Sequence, residues 1–119
     1  MNKLAVGDFG ERAAAGYLEE AGYEILKRKY RLKIGEIDII AKLNNTLVFV
    51  EVKTRSSSRY GFPAEAVTYR KQQKIVNTAL CYLNYINKPT ACCRFDVIEV
   101  FLTELRVIKY NHIIDAFSK

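Results

Sequence analysis

Apolar and polar residues alternate along two runs, Gly35-Glu36-Ile37-Asp38-Ile39-Ile40-Ala41-Lys42-Leu43 and Thr46-Leu47-Val48-Phe49-Val50-Glu51-Val52-Lys53. Asn44-Asn45 separates them. Strand side chains alternate faces with a period of two. Asparagine tolerates the positive φ angles that tight hairpin turns need. The pattern therefore predicts an antiparallel hairpin over about 35–55. A turn of even length pairs Leu43 with Thr46, Asp38 with Glu51 and Glu36 with Lys53. Glu36, Asp38, Glu51 and Lys53 then share one face of the ribbon. An odd turn or a bulge would send Asp38 and Glu51 to opposite faces.

The rest of the chain reads by the same rules. Residues 6–21 predict a helix ending at Gly22, which can supply a left-handed cap. Glu11, Ala15 and Leu18 share its inward stripe, with Ala14 beside them. Glu11 on that stripe is either a site carboxylate or an acid favoured near a helix start by the dipole. Residues 23–33 read as a basic, half-exposed strand. Residues 56–62 and Pro63 signal a loop. A second helix is expected over about 68–86, with Thr68 as N-cap. Gln72, Ile75, Ala79, Leu83 and Ile86 line its inner face. Strands follow at 92–101 and 105–110, and the tail 111–119 closes on Ile113, Ile114 and Phe117. The order is α-β-β-β-α-β-β, an α/β fold with a mixed sheet flanked by helices. If the strands at 47–55 and 92–101 are parallel, the helix between them makes a right-handed crossover.

A chain of 119 residues is one domain's worth, taken as 1–119. Half of it is hydrophobic and 27% is charged, which suits a globular protein. The apolar runs are of strand length, too short for a membrane span. The N-terminus lacks a basic-then-apolar signal segment, so cytoplasmic residence is expected. Cys81, Cys92 and Cys93 have no zinc spacing and read as reduced thiols. His112, the single histidine, reads as a structural or surface residue. There is no Gly-rich phosphate loop, and no Gly-x-Ser-x-Gly motif.

Charge changes the picture. The formal net charge is +6, and the excess is clustered. Lys27, Arg28, Lys29, Arg31 and Lys33 precede the hairpin. Lys53, Arg55 and Arg59 follow its exit, and Arg70, Lys71 and Lys74 open the second helix. Facing Cβ atoms in a hairpin lie about 4.5–5.5 Å apart. Asp38 and Glu51 at that distance repel unless a cation or a proton lies between them. A hard divalent metal with oxygen ligands resolves the repulsion. Lys53 adds a cation beside it. A solvated strand face could also carry such charges. Here, however, Leu47 and Phe49 share the face and Asp38 lies in an Ile-rich run. An acidic centre with basic surroundings suits a polyanion gripped at a metal site. The chemistry is that of a metal-dependent phosphodiesterase.

Asp38 followed by Glu51-Val52-Lys53 on the next strand resembles the PD-(D/E)xK nuclease pattern. Longer blocks make the likeness more specific. Gly7-x-x-Gly10-Glu11-x-x-Ala14, Gly22-Tyr23, Gly35 to Ala41, Leu47 to Arg55, Pro63 to Val67 and Arg94-Phe95-Asp96-Val97 resemble the YraN-like family. That family is grouped with endonucleases and is distantly similar to archaeal Holliday junction resolvases. The likeness covers about residues 7–117. It implies a restriction-endonuclease-like fold and a Mg²⁺- or Mn²⁺-dependent endonuclease acting on nucleic acid, DNA first and branched DNA in particular. It implies that Glu11, Asp38 and Glu51 are metal ligands and that Lys53 positions the attacking water. The carbonyl of Val52 could add a ligand. Gln72 resembles a helix Gln that accompanies the motif in some of these nucleases; a surface Gln on a first turn is the other reading. The motif's proline before the Asp is Ile37 here, a backbone-shaping position and not a ligand. A homodimer also enters the expectations, since resolvase-like enzymes act as dimers, although no heptad or interface motif marks one. The rival expectation is a nucleic-acid-binding protein on a nuclease fold that does not cleave.

Overall fold

The structure, a computed structural model, describes residues 2–56 and 67–119. The expected loop at 56–62, Pro63 and Arg59 fall outside the described residues, apart from the backbone of Ser56. The elements are α1 (Lys3–Glu20), β1 (Glu24–Leu32), β2 (Gly35–Leu43), β3 (Thr46–Ser56), α2 (Tyr69–Tyr85), β4 (Cys93–Thr103) and β5 (Arg106–Phe117). This is the α-β-β-β-α-β-β order that the pattern predicts.

Caps set the helix limits. α1 starts earlier than its apolar stripe indicates because the Asn2 side chain accepts from the Ala5 N–H at 2.8 Å. It stops at Gly22, whose φ of 96° is open to glycine at little cost. The Gly22 and Tyr23 N–H groups then reach back to the carbonyls of Glu19 and Leu18. Thr68 caps α2 by accepting from the Lys71 N–H at 3.2 Å.

The five strands lie in the order β1-β2-β3-β4-β5. β1, β2 and β3 form antiparallel pairs, β3 and β4 are parallel with α2 between them in sequence, and β5 returns antiparallel to β4. α1 buries Ala14, Ala15 and Leu18 against Ile39, Val48, Val50 and Ile98 on one face. α2 buries Ile75, Ala79 and Leu83 against Ile40, Phe49 and Phe95 on the other. Buried on both faces, β3 reads as a near-continuous apolar run until Glu51.

The C-terminus departs from expectation. β5 is one long edge strand rather than a short strand with a closing tail. It keeps pairing with β4 as far as Phe117 opposite Phe95. Phe117 stacks on Phe95, with ring centroids 5.3 Å apart. Ile113 and Ile114 are exposed, because at the sheet edge neither helix covers them. Two adjacent isoleucines mark a strand without saying which of its faces is covered.

Candidate active site

β2 and β3 pair as predicted from Leu43 opposite Thr46 to Ile39 opposite Val50, and there the ladder ends. Each strand keeps its outer neighbour beyond that point: β2 stays on β1 to Gly35, and β3 stays on β4 to Ser56. The sheet therefore forks between β2 and β3, and the expected pairings of Asp38 with Glu51 and of Glu36 with Lys53 do not form. Asp38 sits in the fork. Its Oδ2 accepts from the Val52 N–H at 2.8 Å, so a side chain takes the place of a ladder carbonyl. The Asp38 and Glu51 carboxyl groups line the same cleft, near enough that the Glu51 charge bears on Asp38. Burial, and then the Glu51 charge, push the Asp38 pKa from 3.8 up to about 7. Near neutral pH the pair thus binds a proton or calls for a cation.

The cations are close. Lys53 Nζ lies 4.0 Å from Glu51 Oε2, and Lys71 Nζ lies closer, at 3.2 Å. Burial opposes the Lys71 charge, but Glu51, Asp38 and Glu36 outweigh it and raise its pKa. An open cleft of about 680 Å³ runs over this fork. Glu11, Glu36, Asp38, Glu51, Val52 and Lys53 all line it, so the four residues expected on one ribbon face meet in one cavity.

Glu11 arrives from α1. Gly10 permits this, because a Cβ there would collide with the Thr54 side chain on β3. Glu11 is buried, and burial followed by the Asp38 charge raises its pKa. It is also engaged: Arg28 Nη2 lies 3.0 Å from Glu11 Oε1, and Lys29 Nζ lies 3.5 Å from Oε2. Asp8 joins them, 3.0 Å from Lys29. Lys29 reaches these acids from a φ of 54° in the middle of β1, an uncommon conformation for a non-glycine residue. Among the described residues, no group of three or more His, Cys, Asp or Glu side chains is arranged to hold a metal ion. The donors that line the cleft at the fork are Asp38 and Glu51, with Val52 between Glu51 and Lys53. These are hard oxygen donors. Mg²⁺ is commonly held by one or two carboxylates plus water and phosphate oxygens, so this smaller set fits it.

The remaining sequence-selected residues divide. Gln72 turns back on its own helix start, donating from Nε2 to the Val67 carbonyl at 2.8 Å, and it does not line the cleft. Of the basic residues, Lys27, Lys33, Arg70 and Lys74 are exposed. Arg31 pairs with Glu36 at 3.0 Å, and Arg55 with buried Glu99 at 3.5 Å. Arg28, Lys29 and Lys71 turn inward to the site carboxylates. Lys71 beside Glu51 is the residue that chain order alone conceals. Its one sequence signal is Thr68, whose cap places Lys71 in the first turn of α2.

A second polar cluster lies away from the cleft. Asp96 is fully buried and accepts from Arg94 at 2.9 and 2.8 Å, from the Asp115 N–H at 2.9 Å, and contacts His112 Nε2 at 2.7 Å. Tyr23 accepts a further hydrogen bond from Arg94, and Tyr17 meets His112 Nδ1. His112 is thus structural, tying β5 to β4 and α1. Cys81, Cys92 and Cys93 are free thiols.

Fold and site together define a mixed α/β protein with a partly buried acidic pair at a fork in its sheet, flanked by lysines. The chain belongs to the family described as Uncharacterised protein family UPF0102, whose model matches residues 10–100. It is 50% identical over 117 residues to a UPF0102 protein of Clostridioides difficile strain 630, covering 98% of this chain and all (100%) of that one. A UPF0102 protein of Caldanaerobacter subterraneus is 50% identical over 119 residues, with 98% of each chain covered. One from Alkaliphilus oremlandii is 52% identical over 119 residues, covering 98% of this chain and 100% of the relative. No helix among the described residues is long and apolar enough to cross a membrane.

Proposed function

We propose that this protein is a Mg²⁺- or Mn²⁺-dependent endonuclease of the restriction-endonuclease-like class, hydrolysing phosphodiester bonds in nucleic acid, with branched DNA as the leading substrate. The observation that carries the reading is that Asp38 and Glu51 meet in one cleft at the fork, with Lys53 on the same strand as Glu51 and 4.0 Å from it. A buried carboxylate beside a half-buried one is costly unless a cation or proton is shared between them. Asp38, Glu51 and the Val52 carbonyl would hold the metal, which when bound supplies Lewis-acid stabilisation of the phosphoryl oxygens and a more acidic water. Asp38 is oriented for this by the Val52 N–H, which donates to Oδ2 at 2.8 Å. Lys53 lines the same cleft and would orient the nucleophile or offset charge in the transition state. Glu11 borders the pair while engaged by Arg28 and Lys29. The exposed Lys27, Lys33, Arg70 and Lys74 would meet phosphates along the rims.

Incubation with branched, flapped, single-stranded and duplex DNA, in Mg²⁺, Mn²⁺ or EDTA, tests this directly. Wild type should cleave at least one substrate with metal and none in EDTA. Lys53→Ala should keep metal and DNA binding but lose rate, since its role lies in the transition state. Equal cleavage by Lys53→Ala would assign the activity elsewhere. A second reading, binding without cleavage, is favoured by the engagement of Glu11 with Arg28 and Lys29. DNA binding with no cleavage across the panel would select it.

A further inference from the structure

Lys71 stands between two clefts. Its ammonium lies 3.2 Å from Glu51, whose side chain is only 6% exposed, and is nearer than Lys53 at 4.0 Å. Its side chain also lines a neighbouring cleft of about 350 Å³, together with Arg31, Lys33, Glu36 and Lys74. That second cleft lies between the β1–β2 turn and α2. Its back is closed tightly at Gly35, where an added Cβ would meet Thr78 Oγ1 at 2.8 Å and the Lys74 carbonyl at 3.1 Å. Four cations and one acid line it, and Glu36 is already paired with Arg31. The backbone of Lys71 is fixed by the Thr68 cap. Its ammonium sits at the end of a flexible four-carbon stem, and the side chain is 41% exposed.

We propose that Lys71 is an exchangeable counterion, neutralising Glu51 while the acidic pair holds no metal and turning to a nucleic-acid phosphate in the neighbouring basic cleft when a divalent cation takes that pair. The inference rests on the metal reading given above and adds a coupling to it. A metal that binds Glu51 must displace the ammonium, so Lys71 lowers metal affinity in the free protein. The displaced ammonium then adds a cation to the phosphate cleft, so metal and nucleic acid favour each other. Such coupling is reciprocal: each ligand raises the affinity for the other by the same factor. Lys53 is a suitable comparison. It has the same charge, is farther from Glu51, and lines the acidic cleft rather than the basic one.

The experiment is calorimetric titration of Mn²⁺ into the full chain as wild type, Lys71→Met, Lys71→Arg and Lys53→Met. Fluorescence anisotropy of a labelled duplex oligonucleotide, in Ca²⁺ and in EDTA, accompanies it. Lys71→Met should bind Mn²⁺ on the order of tenfold more tightly, as expected for removing one nearby competing charge. Lys71→Arg should stay close to wild type, and Lys53→Met should change by less than Lys71→Met. Ca²⁺ should raise wild-type affinity for the oligonucleotide by about five- to tenfold, the low end of ordinary coupling, and should raise that of Lys71→Met much less. In the unsubstituted protein, the Lys71 side-chain NMR signals should shift on adding Ca²⁺ and again on adding the oligonucleotide. That measurement decides the matter even if Lys71→Met folds poorly. Wild type that binds Mn²⁺ no differently from Lys71→Met, with Lys71 signals indifferent to Ca²⁺, would overturn the exchange and leave the metal reading standing. Wild type that binds no Mn²⁺ would overturn both.

Discussion

Replacing Asp38 by Asn should stabilise the metal-free protein, and only at a pH where Asp38 would be ionised. Folding raises the Asp38 pKa from 3.8 to about 7. A raised carboxyl pKa means that the folded state holds the proton more tightly than the unfolded chain does. The associated stability is fully present below about pH 4, declines as the pH rises, and is gone once it passes about 7. At about 1.4 kcal/mol for each tenfold change, the whole rise corresponds to about 4 kcal/mol. The carboxyl group borders an open cleft, so solvent and relaxation recover part of this, and about 2 kcal/mol is the working figure. For a chain of this size that is about 8 °C in Tm. Asn can still accept the Val52 N–H and can donate to Glu51, so little is lost in exchange. The assay is thermal unfolding by circular dichroism in EDTA from pH 4.5 to 8.5, wild type against Asp38→Asn. Every other carboxylate is common to both proteins, so the difference isolates position 38 together with its coupling to Glu51. The gap should be small at pH 4.5, grow towards pH 7, and level off above it. A gap independent of pH, or an Asn variant less stable at pH 8.5, would refute the reasoning.

Two further outcomes follow from the same geometry. Duplex DNA binding should weaken steeply with salt, and Lys33→Ala with Lys74→Ala should reduce the log–log slope by up to about 0.9 for each phosphate that is no longer neutralised; an unchanged slope removes that rim from the DNA-binding surface. Asp96→Ala should cost about 3–5 kcal/mol in urea unfolding, because Arg94 and His112 lose a buried partner; a loss below about 1 kcal/mol would show that water replaces the carboxylate without penalty.

The hairpin is legible because its two runs keep period two and Asn44 supplies a φ of 54° at the turn. That register places Asp38, Glu51 and Lys53 just beyond the last ladder pair, and the Asp38 bond to the Val52 N–H then holds them at one fork. Glu11 is legible as an inward carboxylate because helical spacing puts it on the Ala15–Leu18 stripe. What cannot be read is which charge meets which. Arg28, Lys29 and Lys71 look like surface cations by composition, yet the packing of α1 and α2 turns them onto acids distant in sequence. Asp96 is similar: Arg94 is two residues away, but His112 and the Asp115 N–H reach it only through the β4–β5 pairing. The length of β5 is hidden for another reason, since an edge strand has one uncovered side and its apolar residues lose their diagnostic value there.

The bond from the Val52 N–H to Asp38 makes the fork readable from the backbone. A carbonyl partner in a sheet does not titrate, but a carboxylate does. The Val52 amide proton therefore carries, in a single NMR cross-peak, the ionisation state of the residue it orients. Its chemical shift should move through a midpoint near pH 7, and its exchange with solvent should track how firmly Asp38 remains in the fork. A cation drawing on the other carboxylate oxygen would perturb the same peak. Occupancy of the acidic pair can then be followed at a main-chain position, with no substrate present and no substitution made.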